Sequence, residues 1–111
     1  MDYQDRYYIQ KIIEDLRRGA DIAAAHGDLN ELVRIAATAA ALARGLDAGE
    51  QLTPSIWYMV DAVVTLAAAR ITLAARSYPH DGAWERAVDD VAALVKKTAE
   101  MRPFKAKEKE A

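Results

Sequence analysis

Residues 54–76 read PSIWYMVDAVVTLAAARITLAAR, a stretch whose only charged side chains are Asp61, Arg70 and Arg76. A helix on the surface of a small bundle normally carries one apolar stripe and one charged face. This one is apolar almost all the way round, so it is expected to hide more of its surface than a four-helix packing needs. The cover is the other helices, a second copy of the chain, or a ligand. Thr53 supplies a capping hydroxyl and Pro54 a first-turn residue that needs no N–H, so the helix starts there. Ser77-Tyr78-Pro79 stops it near Arg76. The run from Ile56 to Ala69 is short of the roughly 20 apolar residues of a membrane span and contains Asp61, so no membrane segment is expected.

Outward from this helix, three more are predicted. The first runs from Asp2 or Tyr3 to His26, with Tyr8, Ile9, Ile12, Ile13, Leu16, Ala20 and Ala23 at helical spacing. Opposite charges four apart, Asp2 to Arg6, Glu14 to Arg18 and Arg17 to Asp21, mark its outer face. Gly19 lies beside the buried stripe, where it costs up to about 1 kcal/mol against alanine. Its reason is close helix approach or space for a bound group. Gly27 then offers a left-handed cap, and Asp28 with Glu31 begins the second helix, Leu29 to Arg44, which Gly45 ends. Its inward residues Leu32, Ile35, Ala36, Ala39, Leu42 and Ala43 make a core face of small total side-chain volume. Asp81 caps the fourth helix, from Gly82 or Ala83 to Arg102, with Trp84, Ala87, Val88, Val91, Leu94, Val95, Thr98 and Met101 on its inner stripe.

Four helices of similar length on short connections pack as an all-α, antiparallel up-down-up-down four-helix bundle. One domain, residues 1–103, is expected, with 104–111 as a solvated tail. The 111 residues contain no cysteine, which excludes disulfides, thiolate metal sites and a cysteine nucleophile. A net charge of −2 lacks the basic footprint of a nucleic-acid binder. The acidic, aromatic N-terminus lacks the features of an export signal, so a soluble cytoplasmic protein is expected.

The chemistry-bearing residues are few. An antiparallel bundle brings Tyr8, Leu42, Trp57, Asp61, Thr98 and Met101 to one end. Trp57 and Asp61, four apart, set an aromatic wall beside a carboxylate, which in apolar surroundings would serve as a general base or a ligand's acceptor. The competing reading is a solvated polar stripe of Tyr58, Asp61, Thr65, Thr72 and Arg76. Helical arithmetic puts Arg70 among Val63, Ala67, Ile71 and Ala74, where a charge needs water, an ion-pair partner or an anionic ligand. His26 and His80 sit in turns at the opposite end, without the carboxylate–histidine spacing of bundle metal sites, so neither metal nor other cofactor is expected. The alanine runs at 23–25, 36–41 and 67–69 bring backbones close or leave a pocket.

The caps at Asp28, Thr53-Pro54 and Asp81, the alanine-rich interiors, the missing cysteine, and LVKKTAEMR followed by a lysine–glutamate tail resemble de novo designed four-helix bundles. The resemblance implies an apolar aromatic small molecule held in the core, and in some such bundles proton abstraction by a carboxylate. On that reading Tyr8, Trp57 and Met101 are walls, Thr98 shares their end, and Asp61 or Arg70 is the polar anchor. Two other readings stand beside it: a module that self-associates as a homodimer through the third helix, and an enzyme with Asp61 as its catalytic base.

Overall fold

The computed structural model describes residues 3–77 and 82–101. They form α1 (Tyr3–Ala25), α2 (Leu29–Ala48), α3 (Pro54–Ala75) and α4 (Gly82–Glu100), an all-α four-helix bundle. The expectations for Asp2, Tyr78, Pro79, His80, Asp81, Arg102, Pro103 and the tail fall outside the described residues.

α2 and α3 pack against each other and each also packs against both α1 and α4, whereas α1 and α4 do not meet among the described residues. The cross-section is therefore a rhombus with α2 and α3 on its short diagonal. An ideal Cβ on Gly19 of α1 would lie 3.2 Å from Ile35 Cδ1 of α2, which records a close approach of these two helices. The Trp57 indole at the start of α3 bonds near the end of α4. These pairings fit the up-down-up-down order.

The rhombus explains the composition of α3. Ile56, Trp57, Val60, Val63, Val64, Ala67 and Ile71 are buried, spread across the wide arc that three neighbours cover. What remains outside is a row of Ser55, Tyr58, Ala62, Thr65, Ala69, Thr72 and Arg76, with Arg70 and Leu73 exposed beside it. α3 is long and apolar enough to cross a membrane by length and composition, and 39 % of its most apolar window is buried within the bundle.

Local signals fix the helix ends. Thr53 Oγ1 accepts from Ile56 N–H at 3.3 Å, and Asp28 accepts from Glu31 N–H at 3.1 Å. α1 ends as expected: Gly27 takes φ 66°, with bonds from Gly27 N–H to Ala24 O and from Asp28 N–H to Ala23 O. α2 does not end at Gly45 but runs to Ala48. Leu46 continues the buried row of Ala39, Ala40 and Ala43, and burying a leucine outweighs the roughly 1 kcal/mol cost of a mid-helix glycine. The left-handed residue that closes α2 is Glu50, at φ 55°, with Gln51 N–H bonded to Leu46 O at 2.8 Å.

α1, with only two neighbours, hides less than its pattern suggests. Ile13, Ala20 and Ala23 are buried, while Tyr8 and Ile12, expected on the inner stripe, are exposed. The expected pairs of Arg18 with Glu14 and of Arg17 with Asp21 are absent among the described residues; Arg18 instead meets Asp15 at 2.9 Å.

Candidate functional site

Trp57, the expected aromatic wall, is built into the packing. Its side chain is almost fully buried and Nε1 donates to Thr98 O at 2.8 Å. That carbonyl is among the last of α4, which have no donor left inside the helix; among the described residues it otherwise receives a 3.1 Å turn bond from Met101. Thr98 is itself buried, and its Oγ1 donates to Leu94 O at 2.8 Å. The Trp57–Thr98 pair thus joins α3 to α4, and the indole N–H is committed to the backbone.

The other expected residues do not all converge. Met101 is half-buried against the core beside this joint, and Leu42 is half-buried on α2. Tyr8 stands exposed on α1, which does not touch α4, so it is separated from Thr98 and Met101. Asp61 is half-buried at the edge of the exposed row of α3 and makes no ion pair among the described residues. Tyr58, Thr65, Thr72 and Arg76 are exposed, as the solvated-stripe reading expects. Arg70 is exposed too, although Val63, Ala67 and Ile71 around it are buried. It occupies the edge of the covered arc, where its head reaches water. His26 is exposed. Among the described residues no group of three or more His, Cys, Asp or Glu is placed to hold a metal ion.

A concave site does lie between α1 and α3. It is an open groove of about 310 Å³ lined by Ile13, Glu14 and Arg17 of α1 and by Tyr58, Met59, Ala62 and Val63 of α3. Its apolar lining comes from the partly covered flanks of the two helices. Tyr58, 57 % exposed, stands edge-to-face on Trp57, with ring centroids 5.0 Å apart and planes at 74°. The buried indole therefore holds the exposed phenol in place. None of Ile13, Glu14, Arg17 and Met59 was singled out as a site residue by sequence reasoning. The available signal was the row Met59, Val63, Leu66, Arg70 on α3, an apolar edge that ends in a charge.

A second seam, between α1 and α2, is lined by Ile12, Asp15, Leu16, Gly19, Glu31, Arg34 and Ile35. Here the Glu31 carboxylate is gripped at both oxygens by the Arg34 guanidinium, one bond being 2.9 Å from Nε. That hydrogen bond holds the Glu31 carboxyl below its ordinary range and raises the Arg34 pKa in turn.

No protein-family model matches this chain, and no curated protein or solved structure matches it either.

Proposed function

We propose that this bundle binds an apolar aromatic small molecule, and that the site is the α1–α3 groove and not the centre of the core. The observation that carries this reading is the pairing of a mobile-chain residue, Met59, with an exposed aromatic wall, Tyr58, over a floor of Ile13, Ala62 and Val63. Small-molecule sites are mostly apolar concavities of about 300–1,000 Å³ with a few polar groups, so a groove of this size takes a one- or two-ring ligand. Thioethers adapt to ring edges, and a phenol edge-on to its neighbour leaves a face for stacking. Trp57, by contrast, contributes from behind the wall.

Titration of the ¹⁵N-labelled protein with neutral 2-naphthamide tests this. The expected result is saturable shifts of the Ile13, Tyr58, Met59 and Val63 amides, lost in Tyr58→Ala. Shifts confined to residues around Thr98, or none at millimolar ligand, would overturn it.

A second reading, a protein-interaction module, is favoured by a different observation. Tyr3, Tyr7, Tyr8 and Ile12 of α1 are all exposed by about half or more, and exposed tyrosines are common interface anchors. Such association would use α1, not α3. Light scattering over a concentration series separates the two: a dimer that Tyr7→Ser with Tyr8→Ser dissociates supports the interaction reading.

A further inference from the structure

We propose that the ligand of the α1–α3 groove is an aromatic carboxylate, with Arg17 as its direct partner and Arg70 as a second positive charge along the same seam. This rests on the groove being the ligand site and adds the sign and placement of the ligand's charge.

The inference starts from the register of three arginines. Ile13 and Arg17 line the α1 wall, and four residues on an α-helix advance the direction by only about 40° beyond a full turn. Arg17 therefore leans along the row that faces α3. Arg6 precedes Ile13 by seven residues on the same row. On the opposite wall, Val63 lines the groove and Arg70 follows it by seven. All three arginines are exposed, and none makes an ion pair among the described residues. Two nearby arginines on other faces are engaged, Arg18 by Asp15 and Arg34 by Glu31. The carboxylates of the α1–α2 seam are thus used, while the cations of the α1–α3 seam are left over.

The opposing charges among the described residues are Glu14 and Asp21. Glu14 lines the groove but stands about 100° around the helix from Ile13, on the outer rim. Asp21, four residues after Arg17, is exposed and unpaired among the described residues. Among the described residues the seam carries three positive charges against two negative, in a chain whose net charge is −2. Chemistry favours the anion further. The arginine stem extends the apolar wall while the planar guanidinium offers a carboxylate two parallel, charge-assisted hydrogen bonds, which a neutral amide with one oxygen does not match. A flat ring against Tyr58 and Met59 with a carboxylate at the rim satisfies both halves of the site.

The test compares three ligands of one shape, 2-naphthoate, 2-naphthamide and 2-naphthylmethylammonium, by the same amide shifts at low salt. The expected order is anion, neutral, cation, with the anion roughly 5- to 10-fold tighter than the neutral amide and the gap shrinking in 0.5 M salt. Arg17→Gln is expected to remove that preference, Arg70→Gln to reduce it about twofold, and Glu14→Gln to increase it, since a like charge at the rim is lost. Equal affinity for naphthoate and naphthamide, or an anion preference untouched by Arg17→Gln, would overturn the proposal while leaving the groove as the ligand site. If none of the three binds, both fall. All three substitutions are at exposed positions, and an unchanged melting temperature confirms that each variant is folded.

Discussion

α2 and α3 each have three helical neighbours, whereas α1 and α4 each have two, and composition follows that count. The inner pair carries seven buried residues in each helix, alanines in α2 and valine or isoleucine in α3 prominent among them. The outer pair buries a narrow strip and shows the charged faces of ordinary amphipathic helices. A helix that is apolar all round is therefore no sign, by itself, of a membrane, a dimer or a ligand. In this chain it has a position on the short diagonal of the bundle.

The sharpest way to break the comparison is to truncate one isoleucine from each class. Ile71→Ala, on fully buried α3 surface, is expected to cost about 2–5 kcal/mol. Ile22→Ala on the outer face of α1, 61 % exposed, is expected to cost less than about 0.5 kcal/mol. Denaturant melts of the two variants with unchanged slopes check the difference, and similar losses would mean that α1 is covered on a face shown here as solvent. Next in size is Trp57→Phe, which keeps an aromatic ring but deletes the pyrrole half of the indole, and with it the N–H that joins the inner helix α3 to the outer helix α4. Among the described residues Thr98 O then keeps its turn bond from Met101, so a loss of about 1–3 kcal/mol is expected from the hydrogen bond and the void together, with amide exchange accelerating most in the last turn of α4.

How much of this was legible in the sequence depended on whether the signal was local. Caps at Asp28 and Thr53-Pro54 were readable because a side-chain oxygen and a proline act within one turn. The end of α2 was not: Gly45 looked like a stop, yet Leu46 lies on the buried row, and tertiary burial prevailed over propensity. The left-handed position fell to Glu50, which no propensity rule would choose. Glu50→Gly is accordingly expected to stabilise by about 0.5–1 kcal/mol, the relief of the left-handed strain exceeding the entropy glycine adds to the unfolded chain.

The site was harder to read for a related reason. Periodicity placed Trp57 on a flank but could not say that its N–H would be spent on Thr98 O, which left Tyr58 as the exposed ring. Tyr8 and Ile12 fitted the inner stripe of a helix with three neighbours, whereas α1 has two. Arg70, read from the sequence as a charge among buried residues, is exposed at the edge of the covered arc, which periodicity alone did not distinguish from the centre of that arc.

The smallest expected effect separates the α1–α2 seam from the α1–α3 seam. Hydrogen bonding by Arg34 holds the Glu31 carboxyl below its ordinary value of 4.5. The pair's contribution to stability is therefore complete above that pH and is lost as pH falls through the lower, folded value. Melting Glu31→Gln beside the parent protein is expected to show a small deficit near neutrality that closes on acidification. Because the pair is exposed, its contribution is small and falls with salt.

The central claim is that α3 is covered by helices of its own chain and that its remaining row faces solvent. Replacing Thr65, Ala69 and Thr72 together by lysine tests it most directly, because all three lie in that row. The expected result is a bundle with the parent's mass by light scattering and a melting temperature within a few degrees of the parent's. A drop in mass, or a loss of stability of several kcal/mol, would show that the row is buried against something else and would contradict the account.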